Sequence, residues 1–387
     1  MMTQSTNDNL FTDLPASLVD EILNRTQEEI SRELLDAFEE MRNKKAEWQE
    51  QLVQHDLVRY IYNLPRVEGP TCCGADGSYA IERLLTTDLV VAGAVAVEGL
   101  TPPSETRYWP KPRHLIYSDT ESHHADTSSV LRGVMIGMEL QLAQNAPHEL
   151  VFLDGSLTTP TIFFNQALSK VAGIPHLKVS VYLQENIKSF LESYYAILTS
   201  TRADRFWVAL PKYTTRREIG EKLNWPASYD DRGLLSAILQ VGEYTKPLPL
   251  KKPKSSWHIN VPPLGDNKTE KEITSLVNKV TGSLDSIRVV YYRPDPYLPA
   301  LRLEMNRATA ETEARLSLVL RGVKDQCSSA AMMEPYPLYM ADRMIKHLPK
   351  AMPAFRQIVS QTLSETYKGD INDIFTGLHS YRTESGR

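Results

Sequence analysis

Cysteine is scarce in this 387-residue chain, and the signature motifs of several enzyme classes are missing. The cysteines are Cys72, Cys73 and Cys327. Adjacent cysteines are a poor disulfide pair and no Cys-x-x-Cys occurs, so neither a disulfide framework nor a zinc knuckle is predicted. The chain also lacks G-x-x-x-x-G-K-[ST], G-x-G-x-x-G, G-x-S-x-G and H-E-x-x-H. It is therefore not a P-loop ATPase by itself, and it shows no signature of a dinucleotide-binding fold, a serine hydrolase or a zincin.

Long apolar runs and an excess of positive charge are lacking as well. No stretch reaches the roughly 18 apolar residues of a membrane span, and the N-terminus is polar and acidic, unlike a secretory signal. The net charge of −5 weighs mildly against a nucleic-acid-binding protein, although a local basic channel is compatible with acidic outer surfaces. A cytoplasmic protein without a membrane span is predicted.

The order of the predicted elements indicates a mixed α/β sheet with helices on its faces. Apolar residues from Leu18 to about Leu52 recur at helical spacing, which predicts one long amphipathic helix or a helical hairpin. This segment either packs on its own domain or serves as a dimer or partner-binding arm. We expect an N-terminal helical arm over 1–66, serving as a dimer or partner contact, and a second domain over 67–387, ending in a frayed tail. Within the second domain the sequence predicts three strands over 71–118, a helix from Thr127 or Ser128 to about Asn145, a strand before Asp154, two helices, a buried strand at 205–211, a hairpin and two more helical stretches.

The tripeptide Asp-Gly-Ser follows an apolar run twice, at Asp76 and at Asp154. Asp-Gly is a common turn dipeptide, so each occurrence taken alone is compatible with a simple turn. Two aspartates at the ends of neighbouring strands would converge, and converging carboxylates repel each other unless a divalent cation lies between them. The repetition therefore favours a metal-dependent enzyme acting on phosphate esters.

Glu139 and Arg132 belong to the predicted helix that directly precedes the Asp154 strand. Glu139 lies at the edge of the buried stripe, where a glutamate is usually a solvated flank residue. If its side chain lies over the strand end instead, it forms a cluster of three carboxylates with Asp76 and Asp154. Such a cluster suits two divalent ions about 4 Å apart.

Three cations follow the buried strand at 205–211, namely Lys212, Arg216 and Arg217. They are either an ordinary charged loop or groups that neutralise a phosphate. Glu304, at the end of a predicted hairpin strand, is interpreted as a simple strand-end charge.

With these residues identified, the chain resembles the NurA nuclease family from about Gly74 to about Leu348. No single segment is decisive, and the order and spacing of the segments make the resemblance specific. The segments are GADGSYA, the helix with Arg132 and Glu139, LVFLDGSL, WVALPK, ILQVGEYTKPLPL, VVYYRPDPYLPALRLEMN and EPYPLYMADRMI.

The resemblance implies a ribonuclease H-like core, a ring-shaped homodimer, and a 5′-to-3′ exonuclease and single-strand endonuclease that uses Mn²⁺ or Mg²⁺. It also implies a partnership with HerA, a hexameric DNA-translocating ATPase, in DNA end resection. Asp76, Glu139 and Asp154 correspond to the family's metal-binding acids, and Lys212 to a lysine near the site. Arg132, Arg216 and Arg217 are then candidates to contact DNA.

The chain departs from the family pattern near its C-terminus. The family shows Gly-Tyr-Pro followed by a histidine eight residues after the tyrosine, whereas this chain carries Glu334 and Asp342 at those two positions. Asp342 remains a suitable oxygen ligand for Mg²⁺ or Mn²⁺, but it is not an imidazole base near neutral pH. Metal binding is thus expected to be preserved, while the strength of activity and the preferred metal stay open.

The sequence therefore predicts a metal-dependent DNA nuclease that works by two-metal hydrolysis. One alternative is a dimeric DNA-binding ring with a weakened site that regulates a translocase, which the two acid replacements favour. Another is a phosphoesterase acting on small molecules, which the lysine-rich loop at 251–254 and the large helical additions disfavour.

Overall fold

A computed structural model describes residues 14–253, 256–263, 267–327 and 329–386. The chain forms two compact units that divide between Asp56 and Leu57. The predicted arm of residues 1–66 is thus described from residue 14 onward, and Lys254 of the lysine-rich loop lies outside the described residues. Residues 58–60 form a strand of the second unit, and the division of the chain into functional domains at position 66 stays a prediction.

The described part of the first unit, from residue 14 onward, is a nearly continuous helix, which confirms the predicted long helix rather than a hairpin. It comprises α1 (Ala16–Arg25), a π-helical turn (Thr26–Ile30) and α2 (Ser31–Gln54). Asp56, with a φ of 56°, adopts the left-handed conformation that commonly follows a helix end. Large apolar side chains such as Leu34, Leu35 and Phe38 are exposed along it.

The second unit is built on one mixed sheet of eleven strands among the described residues. The order is β1-β7-β9-β10-β6-β5-β2-β3-β4, with β11 paired to β2 and β8 to β9. The pairs β2–β5 and β5–β6 are parallel, and the remaining pairs are antiparallel. The strands are β1 (Val58–Tyr60), β2 (Cys72–Leu84), β3 (Asp88–Glu98), β4 (Arg113–Glu121), β5 (Leu150–Asp154), β6 (Phe206–Leu210), β7 (Glu243–Thr245), β8 (Leu248–Pro249), β9 (Ile287–Tyr292), β10 (Leu301–Asn306) and β11 (Ser380–Gly386).

Helices join these strands, so the predicted mixed α/β architecture is confirmed; its ribonuclease H-like detail stays a prediction. None of the described helices combines the length and the apolarity that a bilayer crossing requires. The helices of this unit are α3 (Thr127–Asn145), α4 (Thr159–Val171), α5 (Lys178–Thr199), α6 (Glu218–Lys222), α7 (Asp231–Ile238), α8 (Asn267–Ser283), α9 (Arg307–Ala310), α10 (Glu313–Gln326), α11 (Tyr336–Ile345), α12 (Leu348–Thr366) and α13 (Ile371–Gly377).

Strand β2 is covered by a helix on each face. A Cβ atom at Gly74 would lie 2.6 Å from the backbone nitrogen of Leu338 on α11, and one at Gly77 would lie 2.8 Å from Cγ of Met135 on α3. Odd and even residues of a strand point to opposite faces, so α11 and α3 lie on opposite sides of β2. The glycines allow both helices to approach the strand closely.

The C-terminal tail is ordered, so the expectation that it is frayed is wrong. Ser380–Gly386 form β11 and pair antiparallel with residues 79–84 of β2. Glu384 of β11 also binds Arg83, with a Nη2–Oε2 distance of 3.1 Å. Strand β2 extends beyond the end of β5, and its unpaired backbone groups there provide the edge to which the tail adds.

Candidate metal centre

The candidate site lies where strands β2 and β5 separate. Cys72–Ala75 pair in parallel register with Leu150–Leu153, so the next residue on each strand is an aspartate, Asp76 or Asp154. Strand β5 ends at Asp154, whereas β2 continues and acquires β11 as its neighbour from Tyr79 onward. The two carboxylates therefore lie side by side where the sheet opens.

The expectation that both aspartates lie at strand ends is wrong for Asp76, because this residue lies within β2. Gly77 and Ser78 continue the strand and pair with β3. Only after Asp154 does the chain turn, with Gly155 at a φ of 76° and its N–H donating to Asp154 Oδ1 at 2.8 Å. The two aspartates converge because of the register of their strands, and not because their local conformations match.

A third carboxylate, Asp342 on α11, completes the cluster. Ligand oxygens of Asp76, Asp154 and Asp342 all lie within 4.8 Å of one another. Asp342 is one helical turn beyond Leu338, which packs against Gly74, and this contact directs it toward the end of β5. Carboxylate oxygens at this spacing are the hard donors that Mg²⁺ and Mn²⁺ prefer, so these residues fit a divalent cation. The structure thus brings together three of the four predicted metal ligands.

Glu139, the fourth predicted ligand, does not belong to this cluster among the described residues. Its Oε2 lies 3.4 Å from the position of a Cβ atom at Gly77, so it approaches β2 from the α3 side. With 1% of its surface exposed, it is buried rather than a solvated flank residue. Its role in metal binding stays a prediction.

Lys212, two residues after β6, extends into the acidic cluster. Its Nζ lies 3.3 Å from Asp154 Oδ2, 3.2 Å from Glu334 Oε2 and 3.6 Å from Asp342 Oδ1. Burial raises the pKa of the Glu334 carboxyl, against the lowering effect of Lys212. Burial acts in the same direction on Asp342, but hydrogen bonding to Lys346 and the charge of Lys212 bring its pKa below the ordinary value. Glu334 and Asp342, the two acids in which the chain departs from the pattern of the resemblance, thus both lie beside Lys212 in the candidate site.

The three predicted DNA-binding arginines lie in different surroundings. Arg216 donates from Nη2 to Thr158 Oγ1 at 3.0 Å, next to the turn that follows Asp154, and its guanidinium lies 5.7 Å from the centre of the Trp257 ring. Arg132 donates to the Tyr79 hydroxyl at 3.2 Å. Arg217 donates to the backbone carbonyls of residues 225 and 226 at 2.5 and 2.8 Å, which gives it a role in holding that loop. Contact with DNA stays a prediction for all three.

Sequence reasoning missed Glu304, which is no simple strand-end charge. It is 1% exposed, and its carboxylate accepts hydrogen bonds from Ser156, Leu157 and Arg302. The signal available in the sequence was the pair Arg302 and Glu304, opposite charges two residues apart in an otherwise apolar strand. On such a strand both side chains point to the same face.

We expect the substitution Lys212→Met to strengthen Mn²⁺ binding by about tenfold or more while it weakens any cleavage. The ammonium group contacts two of the three clustered carboxylates, so a bound cation must overcome its repulsion. At 4 Å and an effective dielectric constant of about 20, this repulsion is about 4 kcal/mol per unit of cation charge before screening by solvent. Isothermal titration of the metal-free protein with Mn²⁺ measures the effect. Lys350→Met, on α12, is the control, and unchanged or weaker binding by Lys212→Met would contradict this role of the ammonium.

The chain is similar to known proteins in its domain sequence and in its fold. The sequence profile of the NurA domain family matches residues 70–346 of the chain. The structure is similar to that of the NurA nuclease from Sulfolobus solfataricus, with a TM-score of 0.56 and 13% identity over 92% of this chain and 99% of that one. A NurA structure with manganese has a TM-score of 0.49 and 14% identity over 89% of this chain and 99% of its own. Likeness to solved structures at such low identity shows the fold alone, and no curated protein matches the chain significantly in sequence.

Proposed function

The chain belongs to the NurA family, and from this premise we propose that it is a divalent-metal-dependent deoxyribonuclease. The observation that carries the proposal is the convergence of Asp76, Asp154 and Asp342, with ligand oxygens within 4.8 Å of one another at the open end of the sheet. Three carboxylates this close together, two of them buried, repel each other unless a cation lies between them.

The residues of the site would have different roles in phosphodiester hydrolysis. Asp76, Asp154 and Asp342 would hold the metal, which supplies Lewis-acid activation of a phosphodiester and of water. Lys212, held at 3.2 Å by Glu334, is placed to offset negative charge on the scissile phosphate. Arg216, beside the turn after Asp154, is a candidate to contact the adjacent backbone phosphate.

Because the chain belongs to this family, the proposal extends to its activity and its assembly. We propose 5′-to-3′ exonuclease and single-strand endonuclease activity, a homodimer, and a HerA-type hexameric ATPase as partner in end resection. The exposed apolar side chains of the N-terminal helix, among them Leu34 and Phe38, support a role of this helix in assembly.

A regulatory ring with a weakened site is the second candidate. The observation that favours it is the position of Lys212, whose ammonium lies among Asp154, Glu334 and Asp342 and competes there with a cation. Such a protein would bind DNA and change the ATPase rate of a translocase without cutting DNA itself.

Removal of divalent metal is expected to abolish cleavage, because water and the phosphodiester then lose their activation. The assay is digestion of end-labelled single- and double-stranded DNA with Mn²⁺, with Mg²⁺ and with EDTA. Short products that appear with metal and vanish with EDTA support the nuclease, and the position of the label gives the polarity.

Absence of products under every metal condition, including in the presence of the ATPase partner and ATP, would contradict the nuclease. In that case a change in the partner's ATPase rate on addition of this protein would support the regulatory ring.

A further inference from the structure

We infer that Glu304 is a positioning residue for the metal ligand Asp154, which it controls through the turn that follows β5. This inference rests on the metal site proposed above. Glu304 pairs with Ala209 of β6, and Ala209 pairs with Leu153 of β5. Glu304 therefore lies beside the end of β5, with β6 between them. Its carboxylate reaches across this distance to the residues just beyond Asp154.

Two donors of the turn bind one oxygen of Glu304. Ser156 Oγ donates to Oε2 at 2.6 Å, and the backbone nitrogen of Leu157 donates to the same atom at 3.0 Å. Hydrogen bonds to a charged acceptor are among the stronger ones in proteins. Since Gly155 alone separates Asp154 from this anchor, the direction in which the chain leaves β5 depends on Glu304.

The other carboxylate oxygen of Glu304 is held by Arg302, which donates from Nε to Oε1 at 2.9 Å. Arg302 also binds Glu218 through both terminal nitrogens, at 2.7 and 2.8 Å, and donates to the Tyr291 hydroxyl. Glu218 begins α6, a few residues after Lys212 and Arg216. The network therefore connects the turn after Asp154 with the segment that supplies the cations of the site.

Loss of the Glu304 carboxylate would leave two donors of the turn without their acceptor. Leu157 is 3% exposed, so water does not readily replace the lost hydrogen bond, and the turn is expected to shift. Because Asp154 directly precedes this turn, its oxygens would move relative to those of Asp76 and Asp342. A misplacement of about 1 Å in a catalytic arrangement reduces the rate by about 10²-fold.

The test compares Glu304→Ala with Glu304→Gln in the full-length protein. We expect Glu304→Ala to weaken Mn²⁺ binding by about tenfold and to lower kcat by about 10²-fold, with KM for DNA changed by less than about twofold. The Gln variant retains an oxygen that can accept from Ser156 and Leu157, and it should recover most of both losses. Binding is measured by titration of the metal-free protein with Mn²⁺, and Glu311→Ala, an exposed acid on the same segment of chain, is the control.

Ser156→Ala is the second variant, because it removes one donor of the turn and leaves the buried Arg302–Glu304 pair intact. It should weaken Mn²⁺ binding by a few fold even if Glu304→Ala does not fold. Wild-type affinity in Ser156→Ala or in a folded Glu304→Ala, or a Gln variant no better than a folded Ala variant, would overturn the inference while the metal site stands. A wild-type protein that binds no Mn²⁺ would overturn the metal site itself and this inference with it.

Discussion

Asp76→Asn is expected to reduce metal-dependent cleavage of DNA by about 10³-fold without lowering the stability of the fold. Asp76 contributes one of the three clustered carboxylates, so its loss removes a charged ligand from the site. The amide oxygen of asparagine can still accept the hydrogen bond that Asp76 Oδ1 receives from the Gly77 nitrogen at 2.8 Å. Since the substitution also relieves repulsion between carboxylates, the metal-free variant should unfold at the same temperature as the wild type or higher.

Digestion of end-labelled DNA with Mn²⁺ and thermal unfolding of the metal-free protein measure the two halves of this prediction. Asp204→Asn is a matched control, because Asp204 is an exposed aspartate just before β6, at the end of that strand opposite to Lys212. Full cleavage by Asp76→Asn would show that the metal site is assigned to the wrong residues. A loss of cleavage with a large drop in unfolding temperature would assign a structural role to Asp76 instead.

Glu218→Ala is expected to lower the free energy of unfolding by about 3–5 kcal/mol, because it leaves the buried Arg302 without its main partner. The Arg302 side chain is 0% exposed and that of Glu218 is 3% exposed. Urea unfolding at pH 7 measures the change. Glu221→Ala, on the same short helix, is the control: Glu221 is half exposed and binds Lys251 at the surface, where an ion pair contributes about 1 kcal/mol or less. Equal effects of the two substitutions would contradict the buried pair.

The same ion pair predicts a dependence on pH. Burial alone would raise the pKa of Glu218, but the hydrogen bonds and charge of Arg302 outweigh it and hold this pKa below its ordinary value. As the pH falls, Glu218 is therefore protonated in the unfolded state before it is protonated in the folded state. The stability that it contributes at neutral pH is lost as the pH falls through its pKa in the folded protein. The difference in unfolding free energy between wild type and Glu218→Gln should be smaller at pH 3 than at pH 7, and a constant difference would contradict the assignment.

Local patterns in the sequence predicted most individual elements. The helix from Thr127 to Asn145 has the predicted bounds, and the strands before Asp154 and before Lys212 lie where their apolar runs stand. Such features depend on residues close together in the chain, through the periodicity of buried side chains. Prediction was poorer where the conformation of a segment depends on a distant part of the chain. The polar sequence of the C-terminal strand β11 forms a strand only because it pairs with the exposed edge of β2.

By itself the sequence determined the candidates for the chemistry: two aspartates after apolar runs, a lysine beyond a buried strand, and an aspartate at a position singled out by the resemblance to the family. Only the tertiary structure decided how they meet. The parallel register of β2 and β5 places Asp76 beside Asp154, and the packing of α11 on Gly74 brings Asp342 to both. It also showed that Glu304, interpreted from the sequence as a simple strand-end charge, is buried and accepts hydrogen bonds from the turn after β5. Strand register and helix packing arise from hydrogen bonds and close contacts between residues far apart in the chain, which no local pattern encodes.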